Sequence, residues 1–283
     1  GGPSAGGPRR FVRALVCLAT VSSAATSAAE PAPPAAEPAS APLADAAYVE
    51  GLVAAAREKR LSAAVTWRRL LHFRRGWFSD HSEADGRQIF LSPKGDEDAS
   101  AELEATVRGF FSPATAQQDE HPLCRFPARA TWLSSQLGID ARRLPRVTCP
   151  GFEAYWKKVS PRSVTLVFSS YYLNNPSSVF GHTFLRLNKP GVPSQERQVL
   201  LDQGLDYSAT VPSTENAILY AIKGLTGLYP GTFRLLPYYY KVREYNDFES
   251  RDLWEYELDL PRQEVELVAA HLWELGHTYF DYY

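Results

Sequence analysis

The run "SVTLVF", Ser163–Phe168, constrains the fold more than any other stretch of this chain. It is nearly unbroken in apolar side chains and rich in β-branched ones, the composition of a buried central strand. Other strands and helices have to cover it. "HTFLRLN" (182–188) alternates, with His182, Phe184 and Arg186 on one face and Thr183, Leu185 and Leu187 on the other. "RQVLLD" (197–202) reads as a further strand. The clearest strand is "LWEYELDL" (253–260), where Trp254, Tyr256, Leu258 and Leu260 face one way and Glu255, Glu257 and Asp259 the other.

Helices surround these strands. From Pro261 the spacing of Val265, Val268, Leu272, Leu275 and Tyr279 predicts one apolar helix face, with Glu264 and Glu266 near its positive end. "STENAILYAIKGL" reads as a helix beginning at Ser213 or Thr214. Residues 46–111 are mostly helical in pattern. "LSAAVTWRRLLHF" places Ala64, Trp67, Leu70 and Leu71 together behind a Ser62 cap, "RQIFLS" (87–92) fits a short strand, and "DASAELEATVRGFF" fits another helix. "HPLCRFPARATWL" and "RVTCPGFEAYWKKV" each look like a loop entering a short helix. The fold class is therefore α+β, with a helical N-terminal domain (46–118) followed by a mainly antiparallel sheet with packed helices (119–283).

The first 45 residues belong to neither part. Arg9, Arg10 and Arg13 precede a short apolar run, Ala14–Val21, and Ser27 and Ala29 are placed for cleavage before Glu30. Residues 1–29 thus read as a signal peptide, with Cys17 in too poor a lipobox for a lipid anchor. Residues 30–45, "EPAPPAAEPASAPLAD", lack large apolar groups and read as an extended linker. The chain starts at Gly1 and holds no Met, so its start reads as incomplete or processed. Removing 1–29 takes away three Arg and no acid, driving the formal charge of −2 further negative. No basic block survives, so nucleic acid is not an expected partner. Export points to the periplasm or cell envelope.

Beyond the signal, Cys124 and Cys149 remain. In an oxidising compartment an even pair most simply forms a disulfide. The other reading makes Cys149, just before Pro150, a thiolate at a helix N-terminus paired with a downstream histidine.

That histidine is His182, in "SSYYLNNPSSVFGHTFLRLN" (169–188). A lone strand histidine is ordinarily structural. Here, however, Gly181 lets another group approach, Asn174, Asn175, Ser177 and Ser178 can orient an imidazole or bind an oxyanion, and Pro176 stiffens the turn. His72, His81 and His121 read as packing or surface residues. His271 and His277 are wrongly spaced for a shared metal, so neither a metal site nor a cofactor is expected.

The same stretch closely resembles the signature of the Lnb N-terminal periplasmic domain family. "CRFPARATWL", "KGLTGLYPGTF", "YYYKVREYNDFESRDLWEYELDL" and "HLWELGHTYFDYY" are similar to its flanking segments. The likeness is specific from His121 to Tyr283 and weaker over Trp67–Phe111. It implies a permuted papain-like (NlpC-type) thiol fold and kinship with a bacterial lipoprotein N-acyltransferase. It also implies His182 as general base, and a nucleophilic Cys in an Asn-Cys-Ser motif after the stretch matching "HTYFDYY". This chain stops at Tyr283 with no Cys after His182, so the nucleophile is expected beyond it.

On that reading Asn174, Asn175 or Ser178 polarises the carbonyl and Asp202 or Asp206 orients His182. Arg251 either touches an anionic headgroup or forms a structural ion pair. Tyr238, Tyr239, Tyr240, Tyr229 and Phe233 either meet acyl chains or pack in the core. The implied partner is a lipoprotein or membrane lipid in a membrane-proximal setting. A cell-wall thiol peptidase or amidase and a non-catalytic binding module stand as alternatives.

Overall fold

The computed structural model describes residues 46–283 apart from 77–78, 115–118, 172–180, 192–198, 211–215, 217–218, 220–221, 224–225, 227, 249, 277 and 282–283. The stretches read above as signal peptide (1–29) and linker (30–45), and most of "STENAILYAIKGL", lie outside the described residues.

The helical part runs α1 (Ala46–Glu58), α2 (Val65–Leu70), the two-residue strands β1 (Phe73–Arg74) and β2 (His81–Ser82), α3 (Ala99–Phe110), α4 (Pro122–Arg125) and α5 (Pro127–Leu137). Its core gathers Leu52 and Val53 of α1, Trp67 and Leu71, Leu103, Val107 and Phe110 of α3, and Leu133 of α5. Trp67 is fully buried, and its indole N–H donates to the Ala99 carbonyl at 2.8 Å, removing the cost of an unpaired donor. Asp98 caps α3 by accepting the N–H groups of Ser100 and Ala101. Ser62 does not cap α2, because Leu61–Ala63 form a 3₁₀ turn and Ala64 occupies the cap position.

"RQIFLS" is not a strand. Arg87–Ile89 form a 3₁₀ turn, and the N–H groups of Leu91 and Ser92 donate to the buried carboxylate of Glu102. A side chain thus takes the place of a neighbouring strand in satisfying this backbone.

The sheet part follows. It comprises α6 (Pro150–Val159), β3 (Ser163–Ser169), β4 (His182–Asn188), β5 (Gln203–Ala209), β6 (Pro230–Pro237), α7 (Tyr238–Val242), β7 (Leu253–Leu258), α8 (Arg262–Leu275) and β8 (Phe280–Asp281). The sheet order is β7-β3-β4-β5-β6-β8 with every pairing antiparallel. The fold is α+β. "SVTLVF" lies between two strands, as its composition requires. "RQVLLD" is displaced: the strand begins at Gln203, Val199 and Leu200 pack against a small cluster around Tyr238, and Leu201 is exposed.

The two sheet faces are covered differently. One face presents Val164, Leu187 and Leu205 to Val265, Ala269, Leu272 and Leu275 of α8 and Val159 of α6, forming the main core. The helix ends at Leu275, so Tyr279 is outside it and half exposed. The other face carries Val167 and Phe184 against Tyr238 and Tyr245. At the β7 edge, Trp254 and Tyr256 pair with Phe168 and Leu166 but stay more than half exposed. The alternation read from "LWEYELDL" is real, and its row divides: Leu258 and Leu260 pack against the main core, whereas Trp254 and Tyr256 lie beyond its cover.

Glu274 on α8 joins the two parts. Fully buried, it accepts the N–H groups of Ala128 and Arg129, capping α5 from 146 residues away. Its second oxygen takes His271 Nδ1 at 2.8 Å and lies 3.8 Å from Arg129 Nε, while Arg129 Nη1 reaches Glu102 at 2.8 Å. Helix start, guanidinium and carboxylates offset one another's charge in a dry interior, where any one alone would be costly, although Arg129 Nε makes no hydrogen bond.

Candidate functional site

His182 opens β4 directly after Gly181. Gly181 has φ +92°, and a Cβ there would lie 2.5 Å from the Ser169 carbonyl oxygen. Only glycine is at ease in that conformation and that space. His182 then pairs with Ser169 on β3, and Ser169 Oγ donates to the His182 carbonyl at 3.3 Å. Behind Ser169 stands Arg251, buried, donating from Nη2 to Ser169 Oγ and from Nε to the Ser170 carbonyl, each at 2.7 Å. Its guanidinium also lies over the Tyr245 ring. Arg251 thus braces the strand end that carries His182, a position that leaves it little reach toward an external headgroup.

The imidazole points to the α7 side of the sheet. Its Nε2 meets Asp206 Oδ1 of β5 at 2.9 Å, and its ring packs beside Phe184 and Tyr245. A carboxylate accepts, so Nε2 carries the proton and Nδ1 is left basic. Among the described residues Nδ1 has no hydrogen-bond partner. The ring remains about one-third exposed, so a reacting group can reach it.

Asp206 is buried and doubly held. Its Oδ2 lies 3.0 Å from Lys241 Nζ on α7. Burial opposes its charge, but the His182 hydrogen bond and the Lys241 ammonium outweigh that and hold the carboxyl below its ordinary value. Lys241 is buried too, and also reaches Glu244 at 3.0 Å and the Tyr245 hydroxyl at 3.4 Å. Burial disfavours the ammonium, yet Tyr245 and Asp206 raise its pKa above the ordinary lysine value. Burial likewise pushes the Tyr245 hydroxyl up to about 12. The result is a polar row, His182–Asp206–Lys241–Glu244, running from a neutral imidazole through a buried ion pair to a half-exposed Glu244.

Asp202 stands apart from this row. It accepts the Lys189 N–H at 3.0 Å and lies 3.7 Å from Arg186 Nε. Asn174, Asn175 and Ser178 lie outside the described residues. Tyr238 and Tyr229 are buried, Phe233 packs on the main core, and Tyr240 is exposed. Lys241 and Tyr245 escaped the sequence reading, although the spacing of Lys241, Glu244 and Tyr245 in "KVREY" was a usable signal. An open cleft of about 740 Å³ on the same sheet face is lined by Val199, Leu200, Tyr238, Val242, Leu253 and Trp254, among others.

Cys149 is not available as a nucleophile. Cys124 and Cys149 form a disulfide, and Asp119, rather than a thiolate, occupies the start of α6 by accepting the Gly151 and Phe152 N–H groups.

Residues 151–283 match the family model of the Lnb N-terminal periplasmic domain. The chain carries an Lnb domain. Residues 59–136 match a second model, Domain of unknown function (DUF7843). No curated protein and no solved structure matches the chain. The His182 row and its cleft lie wholly within the Lnb domain, whereas the Arg129 network connects that domain to the helices matched by the second model. Among the described residues no helix is long and apolar enough to cross a membrane, and no group of three or more His, Cys, Asp or Glu is arranged to hold a metal.

Proposed function

We propose that the Lnb domain supplies the base half of a thiol-dependent acyl-transfer site acting on lipoprotein or lipid acyl groups in the cell envelope. The observation that carries this reading is the 2.9 Å contact between His182 Nε2 and a buried, ionised Asp206. Such a pair fixes the tautomer and leaves Nδ1 to take a proton. A signal peptide over 1–29 and a linker over 30–45 would deliver the domain to the periplasm.

The thiol comes from the Asn-Cys-Ser motif expected beyond Tyr283, in the His-before-Cys order of a permuted papain-like fold. His182 Nδ1 removes the thiol proton and the thiolate attacks an acyl ester carbonyl. The tetrahedral intermediate collapses, the leaving oxygen takes the proton from His182 and departs as the alcohol, and a thioester forms with His182 neutral again. An amine then takes the acyl group, its proton passing to His182 and on to the departing thiolate. Asn174, Asn175 or Ser178 is proposed to hold the oxyanion. The 740 Å³ cleft beside Tyr238 and Leu253 has the apolar lining an acyl chain needs.

The test is to incubate the full-length protein with a diacylated lipopeptide and seek an N-acylated product by mass spectrometry. Release of peptide or amino sugar from cell wall, without acyl transfer, would assign a peptidase or amidase instead. Unchanged activity in His182→Ala would remove His182 from either chemistry and leave a binding module.

A further inference from the structure

A second concavity lies on the opposite side of the sheet from His182, where α8 packs with α5 and α6. It encloses about 580 Å³, within the range of small-molecule sites. Trp132 of α5 forms one wall, and Phe152 and Trp156 of α6 form another. Leu267 and Ala270 of α8 make the floor, over a small cluster with Leu70 and Ala128. The walls are braced from behind. Trp132 stacks on buried Trp67 with ring centroids 5.9 Å apart, and Phe152 packs between Trp156 and Trp273.

Charge tells what such a cleft accepts. The charged residues that line it are Glu264 and Glu266, both acidic. Arg262 lies 2.7 Å from Glu266 and offsets it, whereas Glu264 has no ion pair among the described residues. Aromatic faces carry the negative lobe of a quadrupole and attract cations when water is partly excluded. An anionic ligand would meet carboxylates and ring faces together.

We infer that this cleft binds an organic cation, an alkylammonium group held against Trp132, Phe152 and Trp156 with Glu264 at its mouth. Two sources share that chemistry: a quaternary ammonium such as choline, and a lysine side chain. The site is independent of the His182 chemistry, since it sits on the other face of the sheet.

The experiment titrates the intact chain with choline and, separately, with Nα-acetyl-lysine amide, following the indole N–H signals of Trp132 and Trp156 by NMR. Saturable shifts with choline assign a quaternary ammonium site, and saturable shifts with the lysine derivative assign a peptide side chain. The carbon isostere of choline, in which carbon replaces the charged nitrogen, should bind roughly tenfold more weakly. Glu264→Gln, an exposed change that leaves the fold alone, should weaken the cation by roughly two- to fivefold and leave the isostere unaffected. Equal affinity for cation and isostere, or no shift with either cation, overturns the inference.

Discussion

His72 and His271 meet Nε2 to Nε2 at 3.0 Å across 199 residues of chain. Their rings stack at 5.2 Å, and Phe280 packs on His72 from the side. Since His271 Nδ1 donates to the Glu274 carboxylate, His271 Nε2 is the acceptor and His72 must donate. The contact therefore ties the region matched by the helical family model to the Lnb domain with a defined proton arrangement, and leads through Glu274 into the Arg129 network.

This arrangement predicts acid sensitivity. Burial, then the neighbouring His271 and Arg129, lower the His72 pKa to about 3. In the unfolded chain it titrates near the ordinary histidine value, so between the two values the unfolded state binds the extra proton. Stability from this group is complete above about pH 6.5 and is lost as pH falls toward 3, by at most about 1.4 kcal/mol per pH unit. His72 has φ 55°, a region Asn tolerates, so His72→Asn removes the titration without new backbone strain. Urea unfolding at pH 7 and pH 5 should show a smaller drop for the variant than for the parent. An identical drop would clear His72 of this role.

Glu274→Ala should be among the most damaging single changes in the molecule. It uncaps α5, strips His271 of its acceptor and leaves Arg129 with the Glu102 carboxylate and the Ile89 carbonyl. Breaking a buried ion network of this kind costs about 3–5 kcal/mol. Glu274→Gln keeps one acceptor oxygen and should lose less. Thermal melts of the two variants beside the parent give the ranking, and equal melting temperatures for all three would refute the network's importance.

Local patterns foretold the elements whose neighbours agree with them. β3, β4 and α8 were legible because burial on a sheet or against a core imposes period two or period 3.6 on the sequence. β5 was not: in "QGLDYSA" Leu205, Tyr207 and Ala209 do alternate with Gly204, Asp206 and Ser208, but the more apolar "RQVLLD" just before it drew the strand assignment. The structure gives the reason for one of the polar positions: Asp206 stands there to meet His182 and Lys241. His182 was legible from its glycine and its neighbours, and Asp206 as one of two candidates. Lys241 was not, since its meaning depends on α7 folding back over the sheet. The His72–His271 contact was invisible for the same reason, being set by tertiary packing across the chain.

The β7 edge offers a plain check of packing. Trp254 is 56% exposed despite its place in the strand's apolar row. Trp254→Thr retains strand propensity and should change stability by no more than about 0.5 kcal/mol. A loss above about 2 kcal/mol in chemical denaturation would show that this row is covered in solution.

The Cys124–Cys149 disulfide joins α4 to the start of α6 across a sequence separation of 25. Closing a loop of that size contributes about 3–4 kcal/mol by restricting the unfolded chain. Paired Cys124→Ala and Cys149→Ala replacement should lower the unfolding free energy by that order. Alkylation of the denatured, unreduced domain should label neither cysteine, and labelling of both would show the bond absent.

The His182 row makes the sharpest functional prediction. Asp206→Asn keeps the size of the side chain but removes the charge that selects the Nε2-protonated tautomer. In the full-length protein it should lower kcat by roughly 10²–10⁴ while leaving KM nearly unchanged, because the substrate cleft is lined by other residues. Lys241→Met should act less severely, since His182 keeps its acceptor while Asp206 loses its buried countercharge. That loss lets the Asp206 carboxyl rise from its lowered position. The acid limb of the pH–rate profile should then move upward for Lys241→Met relative to the parent. An unchanged profile would mean that Lys241 only packs, and an unchanged kcat in Asp206→Asn would remove Asp206 from the orienting role.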